Sequence, residues 1–489
     1  MIQESLIVIF TVYILLLISC VFVKKMRVLS YLSVTASAVS VVCAVLTAVG
    51  MYDCNFTFEN GPLYMDRISL IFLCLVSFVS LMTMLYSDGY IFYEKEEGIV
   101  SDRDLRQYYI TLNLFVAVMY VTFIVNSLAL IWLCVGATTL VSTFLVGFYK
   151  NGNSTEAAWK YMTLCSVGIT VALLGITLLY ASTLNVITDL DSALDWTVLM
   201  KNAGMLDSDL MRISIVLIII GYGTKVGFAP MHTWLPDAHS QAPTPVSGML
   251  SAVLLNCALY AVLRCVMISE ITIPDFADTI LLIFGLFSLF IAAMFIIGSK
   301  DLKRMLAYSS IENMGLIAIG FGIGTELSIF GALIQLIAHS VTKPLLFFAA
   351  GNIIQKYETR DMNLIRGVRE KMPFTAFMMA AGSLIIVGVP PFSVFVGEFC
   401  IVYGAVSSNA VWVAVLTLFL LVFVFAGFTK HIFEMLSGHT EQDIGEHKGI
   451  LRKIPFVAMF AVTLIIGLFM PESFSEFLHG AASAVGGLI

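Results

Sequence analysis

His339 and Lys343 stand four residues apart in an otherwise apolar stretch, so on a helix they share one face, with Gln335 one turn earlier. Neutral imidazole both donates and accepts hydrogen bonds, and a column of histidine and lysine can pass a proton along its length. Pro344 follows directly and should weaken that helix locally. Lys225 lies between two glycines in GYGTKVGFAP, shortly before Pro230. Pro230, Pro236, Pro243 and Pro245 make one continuous helix through 211–245 implausible. A break beside Lys225 would leave free backbone groups for water or side chains to satisfy, a geometry that suits a proton site. Glu312 in YSSIENMG and Glu398 in GVPPFSVFVGEF are carboxylates set in apolar runs. Glu398 reads as the terminal site of a relay and Glu312 as a hydrogen-bonded partner in helix packing. His232, Asp237 and His239, in MHTWLPDAHSQAP, are expected to cap an entry path. Each of these positions also has a purely structural reading, as an anchoring lysine or a satisfied polar cluster.

The elements that position them follow from composition. Hydrophobic residues make up 59% of 489 positions and charged residues 12%. An average soluble domain carries roughly twice that charged fraction. The chain is therefore expected to be an all-α, polytopic membrane protein. At the centre of a bilayer an ionisable group costs roughly 2.5–3.5 kcal/mol on insertion scales, and it then faces a protein interior or a hydrated path. Apolar runs long enough to cross lie near 4–23, 29–50, 68–87, 108–125, 127–149, 159–183, 211–229, 246–268, 277–298, 304–322, 326–350, 374–406, 411–433 and 454–470, about 14 in all. Leu17-Ile18-Ser19-Cys20 resembles a lipoprotein cleavage box, but Glu4 and the lack of a basic stretch before it favour a retained first helix.

Alternating the loops from Lys24, Lys25 and Arg27 onward places twenty of the 26 basic residues on one side, Lys448 among them. By the positive-inside rule that side is cytoplasmic, and both termini face outward. Arg264, near a helix end, is expected to snorkel to the interface, and Asp66 and Arg67 to anchor the start of the third span. His431, His439 and His447 read as a solvated loop. The nine cysteines form no CxxC pair, and all but Cys54 lie in apolar runs, so no iron–sulfur cluster is expected in this chain. No nucleophile triad, phosphate loop, flavin motif or nucleic-acid-binding basic block is evident.

The stretch TKVGFAPMHTWLPDAHSQAPTPVSGMLSAVLLN resembles the core signature of the antiporter-like subunits of respiratory complex I, a family shared with cation/proton antiporters and energy-converting hydrogenases. DLKRMLAYSSIENMGLIAIG, HSVTKPLLFFAAGNIIQKYETRD and GVPPFSVFVGEF extend the likeness over about residues 60 to 435. SSIENMG, EAAWKYM and SAVLLNCALYAVLR look most like hydrogenase-4 component F and formate hydrogenlyase relatives.

The resemblance implies two inverted five-helix repeats with broken helices at 211–245 and 374–406. The domain division it suggests is 1–107, 108–260, 261–436 and 437–489. It implies a central lysine at Lys225, bridging residues at His339 and Lys343, and a terminal residue at Glu398. The expected activity is proton pumping driven by redox chemistry in partner subunits. Those partners would hold iron–sulfur clusters and, in a hydrogenase, a nickel–iron site. Sodium/proton exchange is the alternative, and a prokaryotic inner membrane the expected location.

Two positions depart from the family pattern. Gly136, in WLCVGATTL, replaces the usual fifth-helix glutamate that pairs with the central lysine, and Asn256 replaces an eighth-helix lysine or histidine. Without that carboxylate, either the relay is modified or the chain serves mainly as a scaffold.

Overall fold

Long apolar helices make up most of the molecule. The computed structural model describes residues 1–447 and 449–486, so Lys448 lies outside the described residues. Helices α1 (Ile2–Phe22) and α2 (Met26–Asp53) precede a small hairpin, β1 (Phe58–Asn60) and β2 (Leu63–Met65). Then follow α3 (Arg67–Glu96), α4 (Asp102–Ile124), α5 (Leu128–Val146), α6 (Gly152–Thr183), the short α7 (Trp196–Asn202), α8 (Ser208–Val226) and α9 (Trp234–Gln241). Helix α10 (Thr244–Met249) runs through a π-helical turn (Leu250–Leu254) into α11 (Leu255–Thr272). The second half holds α12 (Phe276–Gly298), α13 (Leu302–Ile323), α14 (Glu326–Tyr357), the single turn α15 (Val368–Lys371), α16 (Pro373–Ile386), α17 (Ser393–Ser407) and α18 (Val411–Leu436). Helices α19 (Ile450–Leu468) and α20 (Glu472–Val485) end it.

Among the described residues, thirteen helical segments are long and apolar enough to cross a membrane, with α8–α9 and α10–α11 each counted as one. Helices α16 and α17 are too short alone and together supply the fourteenth. In lipid the backbone must satisfy itself, which is why long apolar runs become helices. Their ends carry local caps: Asp66 accepts from Ser69 N–H at 2.9 Å, Asn151 from Ser154 N–H at 2.8 Å, and Ser101 forms a reciprocal box with Asp104.

Both proline-rich breaks form where expected. Helix α8 stops at Gly227, whose φ of 90° suits glycine alone, and the chain resumes as α9. The indole N–H of Trp234 donates to the Thr224 carbonyl at 2.7 Å and ties the two halves together. The second break spans residues 387–392, between α16 and α17. Pro344 does not interrupt α14, which continues through it. It removes the donor that the Ser340 carbonyl would use.

Three details differ from the sequence expectations. Arg264 does not snorkel: it is buried and makes a two-pronged ion pair with Asp66 at 2.6 and 2.7 Å. Its partner lies 198 residues away in sequence, which no local pattern reveals. The divisions at 107/108 and 260/261 fall inside α4 and α11 rather than between helices. His447 is not solvated. It is buried against the Arg452 guanidinium, at 3.2 Å, and the Tyr93 ring. Burial and the charge of Arg452 hold its imidazole down to about 3.

Candidate functional site

Lys225 occupies the last turn of α8, beside the break, and is fully buried. Its ammonium donates to the Val135 carbonyl, to Thr138 Oγ1 at 2.5 Å and to Thr139 Oγ1 at 2.7 Å, all on α5. Three donors thus meet three neutral oxygens. Its ionisable neighbours are the thiols of Cys165 and Cys257. Gly136 sits on the same turn of α5. A Cβ there would meet only Ile169 Cγ2, at 3.8 Å, so the position has room for a side chain. Thr138 and Thr139 supply the lysine's side-chain hydrogen bonds in place of a carboxylate.

Lys343 is held in the same manner. From the middle of α14 it donates to the Leu306 carbonyl at 2.9 Å and to the Ser309 hydroxyl, both on α13. One turn away, His339 is fully buried, and neither ring nitrogen has a protein hydrogen-bond partner. It stands within electrostatic reach of Lys343 and of His239, and His239 in turn of Lys343 and Lys303. His239, at the end of α9, likewise has both ring nitrogens unpartnered.

On the far side of Lys343, the Glu312 carboxylate accepts from Asn313 Nδ2 at 2.6 Å, and Gln335 Nε2 donates to Asn313 Oδ1 at 2.7 Å. Glu312 lies within reach of both Lys343 and Glu398. Glu398, on α17, folds its carboxylate over Gly388 in the second break. A Cβ at Gly388 would collide with Oε2 and lie 2.7 Å from Cδ, and the φ of 71° at Gly388 also favours glycine. Oε1 itself has no protein partner.

Buried polar atoms are paired in the great majority of cases, with protein or with ordered water. Here half of the unpartnered buried side-chain atoms among the described residues belong to this group, namely His232 Nδ1, both nitrogens of His239 and His339, Gln335 Oε1, Asn256 Oδ1 and Glu398 Oε1; others, such as Ser80 Oγ, Asn113 Oδ1 and Glu270 Oε1, lie elsewhere. The structure therefore brings together His239, His339, Lys343, Glu312 and Glu398. Asn256 joins from α11, donating to Ser340 Oγ at 2.8 Å. His232 is buried in the first break, its ring 6.5 Å from that of Tyr308. Asp237 instead turns to the rim, where it pairs with Arg304 and, at 3.3 Å, with Lys160. Lys225 stands apart from the group, linked through Thr139 and Ser142 towards Tyr161, whose hydroxyl is 2.7 Å from that of Ser142.

Asn313 and Lys303 were passed over in the sequence. Asn313 is neutral and adjoins the more conspicuous Glu312. Lys303 reads as one of many loop cations.

Known proteins resemble this chain in sequence and in fold. The family described as "NADH:quinone oxidoreductase/Mrp antiporter, TM" matches residues 125–425, and "NADH-Ubiquinone oxidoreductase (complex I), chain 5 N-terminus" matches 47–99. A hydrogenase-4 component F homolog of Methylacidiphilum infernorum is 35% identical over 415 residues, covering 85% of this chain and 87% of that protein. NADH-quinone oxidoreductase subunit M of Rickettsia prowazekii is 27% identical, covering 85% and 81%. In fold, a chain of the membrane-bound sulfane sulfur reductase, an archaeal respiratory membrane complex, superposes with a TM-score of 0.87 at 20% identity, covering 99% of this chain and 97% of that one. The Mrp complex from Dietzia sp. gives 0.84 at 17% identity, covering 99% and 98%. With the family match spanning most of its crossings and both broken helices, this chain belongs to the antiporter-like membrane subunits of the NADH:quinone oxidoreductase/Mrp antiporter family.

Proposed function

We propose that this chain is the proton-translocating subunit of a membrane-bound redox complex of the hydrogenase-4 or complex I type. The observation that carries the reading is the file of buried ionisable groups, His239, His339, Lys343, Glu312 and Glu398, each within electrostatic reach of the next. Side chains of this cost inside a membrane mark ion pathways. The breaks at 227–233 and 387–392 bring His232 and Glu398 to interrupted backbone, as in transporters built on discontinuous helices.

The basic ends of the crossings face the cytoplasm, and both termini face the outer side of a prokaryotic inner membrane. Helix α17 runs towards the outer side, so Glu398 is the group nearest release. A proton moves from His239 to the His339–Lys343 pair, then past Glu312 and Asn313 to Glu398. Lys225 forms a branch whose ammonium is steadied by Thr138 and Thr139 rather than by a glutamate. Electron transfer belongs to partner subunits, which would hold the iron–sulfur clusters and, in a hydrogenase, the nickel–iron site. Movement of those partners would shift the water and side-chain contacts of the file.

The transported ion is H⁺. Complex purified through this chain and reconstituted in liposomes should build a pH gradient during redox turnover, without sodium and collapsible by a protonophore. Sodium uptake that persists in the presence of protonophore would contradict the assignment.

A further inference from the structure

Helix α3 continues seven residues past Gly89, to Glu96, and carries Glu94 into the interior. Glu94 is 4% exposed and makes no salt bridge among the described residues. The Tyr149 hydroxyl lies 2.8 and 3.0 Å from its two carboxylate oxygens. The Tyr90 hydroxyl stands 3.4 Å from that of Tyr149, and Thr244 Oγ1 donates to Tyr90 at 3.2 Å. A cavity of about 500 Å³ opens beside these groups at the basic end of the bundle, lined also by Lys303, Gln355 and Arg360. On the inner wall of the cavity Lys303, itself buried, donates to the Ala242 carbonyl at 2.6 Å. Lys303 lies within electrostatic reach of both Glu94 and His239. His239 is three residues before Ala242, and both its ring nitrogens are free to accept or donate.

A buried carboxylate with only neutral hydrogen-bond partners and no salt bridge among the described residues is an expensive arrangement for packing alone. A cavity lined by charged and polar side chains on one side and an unpartnered imidazole beyond the next cation suit proton traffic. We propose that Glu94 is the proton-loading residue of the path, taking protons from the cytoplasmic cavity and delivering them past Lys303 to His239. The proposal rests on the proton-path reading given above and supplies its entrance. A hydronium ion in the cavity protonates the Glu94 carboxylate and leaves as water. The carboxyl then releases that proton, through water or the Lys303 amine, as a ring nitrogen of His239 gains one, and the carboxylate is restored. No electrons move.

The test uses the assembled complex in liposomes. Glu94→Gln keeps size and the acceptor for Tyr149 but cannot carry a proton. It should lower the pumping rate at least about tenfold, a cautious bound against the roughly 10²–10⁴-fold that positioned proton-transfer groups contribute. Glu94→Asp should give an intermediate rate and a shifted carboxyl C=O stretch in infrared difference spectra taken during turnover. Lys343→Met is the control for the path itself. Wild-type pumping by Glu94→Gln with loss in Lys343→Met would overturn the loading role alone. Wild-type pumping by both would overturn the path. Should Glu94→Gln fail to assemble, Glu94→Asp decides: an unchanged rate with an unchanged carboxyl band overturns the proposal.

Discussion

The buried charges divide into two kinds, told apart by their partners. Arg264 is locked: two ion-pair contacts to Asp66, a third bond to Ser69 Oγ at 2.7 Å, and the faces of Trp196 and Tyr260 at 4.5 and 4.8 Å from its guanidinium carbon. Three of its five N–H donors are engaged, two of them in the bidentate ion pair, and aromatic faces flank the guanidinium. Lys225 and Lys343 are held by carbonyls and hydroxyls, and the ring nitrogens of His239 and His339, within electrostatic reach of Lys343, have no protein hydrogen-bond partner. The first arrangement suits stability and the second suits exchange of protons. Arg264→Met should therefore leave Asp66 uncompensated and destabilise the protein by roughly 3–5 kcal/mol, as breaking a buried pair does. The measurement is the melting temperature of the purified complex, and an unchanged melting temperature would place Asp66 and Arg264 outside the structural core.

At the scale of elements, glycines set how closely the crossings approach. Helices α6 and α8 meet at Gly168, Gly175 and Gly221, and a Cβ at Gly221 would lie 2.6 Å from the Gly168 carbonyl. Small residues are what allow helices to approach this closely in lipid. Lys225 is one turn beyond Gly221, so the crossing fixes where its ammonium meets α5. Gly221→Ala should push α8 from α6 and lower both assembly and pumping, whereas Gly204→Ala, with nothing within 4 Å, should be neutral. Equal yield and equal pumping in both variants would refute the close-packing argument.

The crossings were legible because lipid imposes a single rule on them: apolar and long. Both breaks were legible from Pro230 and from the Pro390–Pro391 pair, since proline removes a donor wherever it falls. Less visible was anything that depends on a distant partner or on polar helix beyond the apolar run. Hydropathy stops near Ser87, so Glu94 read as loop although α3 carries it inward for two further turns. Arg264 resembled a snorkelling residue because Asp66 is remote in sequence. His447 resembled a solvated histidine because its contacts come from α3 and α19.

Across the whole molecule, the first and second sets of five crossings, α4 to α11 and α12 to α18, each place a broken segment fourth. Five is odd, so the second set starts from the opposite face and the two are inverted in the membrane. The file of buried groups runs from the basic end, at Glu94 and Lys303, through the middle of α14 to the second break at Glu398. Lys343 occupies its centre, within electrostatic reach of both Glu312 and His339. The most direct measurement is the number of protons translocated per electron pair by the reconstituted complex carrying Lys343→Met. The account predicts that redox turnover continues while that ratio falls. An unchanged ratio, with the variant assembled, would contradict it.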